Sequence, residues 1–225
     1  MSIISIAIDG PSGAGKSTLA RSAASSLGFL YVDTGAIYRT IGYHIYREGI
    51  DPRDAAAVEA ELPKLRVELT YGQDGLQHML LNGRDVTAEI RLPEVSLHTS
   101  AVSGHPAVRA YLLEMQRELA RTQSVIMDGR DIGTVVLPDA AVKVFLTASP
   151  EARARRRVRE LQQRGTPEPL EKVLEEIQQR DWNDTHRDAS PLRQAEDAVL
   201  LDTTDMDFQE SEAALLRIIR ERTEQ

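Results

Sequence analysis

Eight consecutive residues, Gly10-Pro11-Ser12-Gly13-Ala14-Gly15-Lys16-Ser17, narrow the folds open to this chain more than anything else in it. An apolar run of strand character, Ile3–Ile8, leads in, and a helical pattern begins at Lys16 or Ser17. The spacing is G-x-x-x-x-G-K-[ST]. Its glycines let the backbone turn N–H groups inward around a phosphate, and the helix that follows adds the positive end of its dipole. Lys16 can then reach the β and γ phosphates of a nucleoside triphosphate, while Ser17 offers a hydroxyl ligand to Mg²⁺. A glycine-rich turn could match the spacing by chance, but the strand and helix on either side are what a phosphate loop requires. Gly10, Pro11, Ser12, Gly13, Ala14, Gly15, Lys16, Ser17 and Thr18 are the candidate ATP-binding residues.

The rest of the chain fits a parallel α/β domain. Five short Val- or Ile-rich runs, Ile3–Ile8, Phe29–Val32, Ser124–Met127, Val142–Leu146 and Ala198–Leu201, lack alternation. Such runs suit strands covered on both faces. Helical stretches lie between them, at about 16–27, 35–48, 52–62, 106–122, 150–164, 168–188 and 208–222, so a three-layer α/β fold is expected. One segment departs from this pattern. Leu65, Val67, Leu69 and Tyr71 alternate with polar residues, Gly72-Gln73-Asp74-Gly75 is a turn, and Asn82-Gly83 marks another. Residues 62–100 therefore read as a small antiparallel β insert between the second and third core strands, within a single domain spanning 1–225.

Composition removes whole classes of function. With 225 residues, 28% charged and 41% hydrophobic, the chain is an ordinary globular one, and no window approaches the roughly 18 apolar residues of a membrane span. The N-terminus has no basic start, and its apolar run stops at Asp9, which does not suit a signal peptide. Zero cysteines exclude disulfides, thiolate metal sites and cysteine nucleophiles. A cytoplasmic protein is expected. The net charge of −8 argues against a general nucleic-acid binder. Yet only four of the 27 basic residues are lysine (Lys16, Lys64, Lys143, Lys172), and arginine's planar fork suits phosphate.

A guanine-reading N-K-x-D motif is missing, and motor-type ATPases are usually longer, so a small kinase with a second substrate site fits best. Two loops could build that site. Asp33-Thr34-Gly35-Ala36-Ile37-Tyr38-Arg39 follows the second strand, where ligands bind in such sheets. Arg39 lies one turn into a helix, where a cation gains nothing from the dipole, which favours an anionic partner. After the third strand comes Asp128-Gly129-Arg130-Asp131, with Asp128 in the place of an acid that holds Mg²⁺ through water. Arg180, Asp184 and Arg187 are spaced i, i+4 and i+7, as on one helix face, although a surface salt-bridge ladder has the same spacing. Trp182 falls off that face and reads as packing.

The runs IAIDGPSGAGKST, DTGAIYR and DGRDIGTVVLPDA closely resemble the bacterial cytidylate kinases, nucleoside monophosphate kinases that phosphorylate CMP and dCMP. LNGRDVTAEIR (81–91), VSGHPAVR (102–109) and RDWNDTHRDASPL (180–192) extend the likeness from Ile4 to about Asp205. The resemblance implies the P-loop nucleoside monophosphate kinase fold, with the 62–100 insert as its NMP-binding part. It implies that Thr34, Tyr38 and Arg39 line the CMP pocket and that Ser100 and Arg109 contact cytosine. Arg130 and Asp131 would hold the monophosphate and the ribose or base edge, completed by Arg180, Asp184 and Arg187. Mg²⁺ on Ser17, and on Asp128 through water, would accompany ATP.

Arginines 153, 155, 156, 157, 159 and 164 crowd a helix that starts at Ser149-Pro150-Glu151. A solvated face is the usual reason for a charge run, and an RNA contact is a second. The resemblance supplies a third, a lid over residues 150–168, with Arg153, Arg156 and Arg157 as the inward set. Lys16, Arg130, Arg153, Arg157 and Asp128 are then the expected catalytic group, with Arg156 and Arg157 also touching ATP. Other readings are a P-loop kinase of a non-nucleotide acceptor, or an ATP-dependent RNA-contacting protein. The expected state is a monomer acting on ATP and CMP or dCMP, with no nucleic acid or membrane partner.

Overall fold

Strand β1 (Ser5–Asp9) buries Ile6, Ala7 and Ile8 completely, as its unbroken apolar pattern requires. The computed structural model describes residues 3–223. In chain order there follow α1 (Lys16–Leu27), β2 (Leu30–Asp33), α2 (Thr34–Arg47), α3 (Ala55–Glu61), β3 (Val67–Tyr71), β4 (Gln77–Leu81) and β5 (Arg84–Asp85). Next are α4 (Pro93–Val102), α5 (Pro106–Thr122), β6 (Val125–Gly129), β7 (Val142–Thr147), α6 (Pro150–Gln163), α7 (Leu170–His186), β8 (Val199–Asp202) and α8 (Phe208–Thr223). The main sheet has the order β2-β6-β1-β7-β8, and β1 pairs in parallel with both β6 and β7. In that register Asp9 stands opposite Gly129. The loops leaving β1 and β6 therefore emerge side by side at the carboxyl ends of the strands, where doubly wound sheets bind ligands.

The chain divides into two compact units, one built from the described residues up to Tyr31 and from Ala120 onward, the other from Val32 to Leu119. In the first, α1 lays Leu19, Ala20, Ala23 and Ala24 into a core with Ile6, Ile8, Ile126, Val144 and Leu146 of the sheet and Leu215 and Ile219 of α8. The alanines let α1 approach the strands closely, and each fully buried Leu or Ile contributes about 1.5–3 kcal/mol. Helices α6 and α7 pack through a smaller cluster of Ala154, Val173 and Ile177.

The second unit is held by α2, which Asp33 caps through the Ala36 N–H at 2.9 Å, and by the β3–β4–β5 sheet. The expected turns are present, with Gly75 at φ 73° and the Asn82-Gly83 pair at 51° and 80°. The strands end at Asp85, however, and residues 93–102 form α4 rather than continuing the β insert. Val95, Thr99 and Val102 are the buried positions of α4, a helical i, i+4, i+7 spacing behind Pro93. α4 packs on α2 at Gly42, where a Cβ would come within 2.6 Å of Thr99 Oγ1.

Candidate active site

The phosphate loop depends on backbone that only glycine adopts freely. Gly15 caps α1 at φ 91°, and a Cβ on Gly10 would fall 1.9 Å from the Leu146 carbonyl oxygen. Lys16 is buried, and its Nζ donates to the Pro11 carbonyl at 2.7 Å. Burial and the repulsion of the Arg130 guanidinium push the Lys16 ammonium down to about 7, against the pull of Asp128, Asp184 and Asp9. Ser17 Oγ donates to Asp128 Oδ2 at 2.9 Å, and Tyr31 OH donates to Asp128 Oδ1 at 2.8 Å. Ser17 and Asp128 thus meet as the sequence implied, across 111 positions. Among the described residues no cluster of three or more His, Cys, Asp or Glu forms a metal cage. A hydroxyl and a carboxylate are hard oxygen donors, and a pair of them suits a cation that draws its other ligands from phosphate and water, as Mg²⁺ does.

Two polar groups here were not expected from sequence. Tyr31 lies in a buried strand, and nothing local marks its hydroxyl as Asp128's partner. Asp9 is buried at the end of β1, with its two oxygens accepting the N–H groups of Ile132 and Gly133, both at 2.7 Å. Burial pushes its carboxyl up to about 6, and the two N–H bonds hold it from rising further. A signal for it existed, since an acid directly ending a buried strand is the same pattern that singled out Asp128.

Arg130, Asp131, Arg180, Asp184 and Arg187 come together in the first unit. Arg130 Nε donates to Asp184 Oδ2 at 2.7 Å, and Asp131 and Asp184 are both buried. Burial pushes the Asp184 carboxyl up, but Arg130 against it, with Arg180 and Arg187 nearby, outweighs that and holds it below the usual carboxylate range. The shared helix face holds only in part. α7 ends at His186, and Arg187 is extended (φ −68°, ψ 145°), so it reaches Asp131 Oδ1 at 3.9 Å while bonding the Ser190 carbonyl. Trp182 is not packing: it is 60% exposed and stacks on the His186 ring at 3.5 Å.

The three arginines expected to face inward together on α6 have separate partners. Arg153 is buried, with its Nη1 bonded to the Ser12 carbonyl at 2.9 Å and to Asp181 Oδ1 at 3.0 Å, which ties it beneath the phosphate loop. Arg156 bonds the Thr203 carbonyl and hydroxyl beside a groove of about 770 Å³ lined by Asp202, Thr204, Met206, Glu210 and Arg217. Arg157 is exposed and paired with Glu160 at 3.0 Å. One helix turn has divided the set because α6 is covered on one side by the loop and α7 and is open on the other.

In the second unit, Thr34, Tyr38 and Arg39 lie on α2, Ser100 on α4 and Arg109 on α5. The Arg109 guanidinium sits 5.2 Å from the Tyr38 ring centroid and donates to the Ser103 carbonyl at 3.0 Å. Ser103 in turn donates to the Ser100 carbonyl, and Arg39 donates to Ser96 Oγ at 2.9 Å. Thr34 is buried at the start of α2, where Gln77 accepts the Asp33 N–H at 2.7 Å. Gln77 carried no local signal, being a polar residue in a short strand.

A family model described as cytidylate kinase matches residues 6–221. The chain belongs to the cytidylate kinase family. It is 50% identical over 214 residues to the cytidylate kinase of Carboxydothermus hydrogenoformans, covering 95% of this chain and 96% of that protein. It is 49% identical over 220 residues to the cytidylate kinase of Caldanaerobacter subterraneus subsp. tengcongensis, covering 98% and 96%. Among solved structures, an uncharacterized protein from Eubacterium ventriosum shares the fold over the full length of both chains, with a TM-score of 0.51 at 13% identity. The phosphate loop and the acid–arginine centre both lie in the first unit of this cytidylate kinase family member.

Proposed function

We propose that this chain transfers the γ-phosphoryl group of ATP to CMP or dCMP, giving ADP and CDP or dCDP, a step of pyrimidine nucleotide metabolism. One observation carries the reading beyond family membership. Lys16 of the phosphate loop lies within electrostatic reach of Arg130 and Asp184, so a donor-phosphate lysine and a second anion-binding centre belong to one unit.

The chemistry asks little of a general base. A phosphate monoester has a second pKa of ~6, so the acceptor oxygen is already a nucleophile near neutral pH. Catalysis is then positioning and charge neutralisation. The N–H groups of Gly10, Ser12, Gly13, Ala14, Gly15, Lys16, Ser17 and Thr18 would hold the donor phosphates, with Pro11 shaping the loop without an N–H of its own, and the Lys16 ammonium would follow the moving charge. Ser17, with Asp128 through water, would hold Mg²⁺, which when bound would supply positive charge to offset that of the donor phosphates. Arg153 and Arg157 would act on the moving phosphoryl group, Arg157 by leaving Glu160, while Arg156 and Arg157 contact ATP. The groove beside Arg156 has room for the ATP base.

On the acceptor side, Arg130, Arg180 and Arg187 would bind the CMP phosphate, with Asp184 fixing the arginines and Asp131 taking the ribose or base edge. Arg39 would add a fourth cation, Thr34 and Tyr38 would line the nucleotide, and Ser100 and Arg109 would contact cytosine. The domain is read as one kinase domain over 1–225, with the 62–100 insert serving the nucleotide and 150–168 serving as lid. Met1, Ser2, Glu224 and Gln225 of that span lie outside the described residues. Closure of the lid with both substrates bound would keep water from the phosphoryl group. No described helix is long and apolar enough to cross a membrane. The reading is of a cytoplasmic enzyme, and the acidic pI of about 5.2 argues against a nucleic-acid partner.

The test is a coupled assay of ADP formation with Mg·ATP and CMP, dCMP, UMP, AMP or no acceptor. CMP and dCMP are expected to exceed UMP and AMP by at least about tenfold, the discrimination a site built on base hydrogen bonds gives. Equal use of UMP would remove the roles assigned to Ser100, Arg109 and Asp131. No acceptor exceeding the blank would end the kinase reading.

A further inference from the structure

Asp9 is the last residue of β1, one position before the phosphate loop, and the chemistry above does not use it. Each of its two oxygens accepts one N–H, from Ile132 and from Gly133, so the carboxylate is held by the backbone of the loop that follows β6. Those two N–H groups open a π-helical turn, Ile132–Val136, and the first N–H groups of a helical turn have no partner within it. The Asp131 carbonyl accepts the Val135 and Val136 N–H groups from the same turn. A cap normally comes from the residue just before the helix. Here it comes from a strand more than 120 positions away.

Gly133 fits the same arrangement. A Cβ there would lie 3.3 Å from Asp9 Oδ2 and 3.1 Å from Lys143 Cδ, so the close approach of Asp9 leaves no easy room for a side chain. The turn being capped directly follows Arg130 and Asp131, and Arg130 reaches Asp184 from that loop.

We propose that Asp9 is a positioning residue: it latches the Arg130–Asp131 loop to the strand that delivers the phosphate loop, and so keeps the acceptor-binding arginine in register with the donor phosphates. The proposal rests on the kinase reading above. Phosphoryl transfer depends mainly on alignment, and a displacement of about 1 Å can cost about 100-fold in rate. In Asp9→Asn one oxygen remains, but the amide NH₂ would face an N–H donor, so one latch bond is lost and the other is disturbed.

The experiment combines amide hydrogen exchange with steady-state kinetics on the full chain. In Asp9→Asn the Ile132 and Gly133 amides are expected to exchange at least about tenfold faster, and kcat/KM for CMP to fall at least about tenfold, while KM for ATP stays within about threefold. Gly133→Ala, which presses on the same contact from the other side, is expected to give the same split and serves if Asp9→Asn does not fold. Unchanged amide protection would overturn the latch. Faster exchange with CMP kinetics unmoved would overturn its positioning role, as would equal losses for ATP and CMP. Wild-type turnover on CMP is the control. Its absence would sink the kinase reading itself, leaving amide exchange to judge the latch.

Discussion

At the scale of single residues, the site depends on how a few oxygens are held. Asp128 has both carboxylate oxygens engaged by hydroxyls, Ser17 on one and Tyr31 on the other. If Asp128 serves the metal through water, Tyr31 sets the rotation of the carboxylate. Tyr31→Phe is therefore expected to raise the Mg²⁺ concentration for half-maximal activity several-fold. The cost in folding stability should be about 1 kcal/mol, the usual worth of one hydrogen bond. A Mg²⁺ titration of initial rates, beside a urea melt, makes the check, and an unchanged Mg²⁺ dependence would show that Tyr31 only packs. Lys16, Ser17 and Asp128 were legible in sequence because their signal is local, each sitting at a fixed offset from a strand end or a glycine. Tyr31 was not legible, because its partner lies 97 positions away and a tyrosine in a β-strand is ordinary.

At the scale of elements, the α6–α7 pair shows what spacing leaves undecided about the arginine-rich helix. Period 3.6 says that positions 153, 156 and 157 share a face, but it does not say what covers that face. Arg153 is 3% exposed and bonded to Asp181 of α7, whereas Arg157 is in solvent with Glu160. Removing one partner of a buried ion pair strands the other charge. Arg153→Met is therefore expected to destabilise the protein by about 3 kcal/mol, the low end for such pairs because Asp181 keeps some solvent. Arg157→Ala should stay within about 0.5 kcal/mol of wild type, as exposed substitutions do. Equal thermal shifts for the two variants would show that α6 is not clamped as described. The end of α7 gives the same lesson at smaller cost. The i, i+4, i+7 pattern was right about which residues gather around Asp184, yet the helix stops at His186 and Arg187 arrives by a turn. In α4 the signal was present but outweighed, since the alternating strand before it suggested that β structure continued.

At the scale of the whole molecule, the large apolar side chains left exposed are scattered over several elements, among them Leu97 on α4, Trp182 on α7 and Phe208 on α8. Isolated exposures of this kind need no partner. Sedimentation equilibrium is expected to give one species near 25.0 kDa, and a dimer would show that one of these surfaces is an interface. The sequence by itself determined the parallel core, the phosphate loop and the antiparallel turns. Each of these is written in contiguous residues, as apolar runs, as glycines at fixed offsets, or as Asn-Gly between strands. It also carried the family likeness, because that likeness lives in short runs such as DTGAIYR and DGRDIGT. What only the tertiary structure decided is how one arginine differs from another. All but four of the 27 basic residues are arginine, chemically identical along the chain. Arg130 against Asp184, Arg153 under the phosphate loop and Arg157 in solvent are separated only by burial and by partners far away in sequence. Charge interactions change strength with the dielectric around them, and the fold alone sets that surrounding.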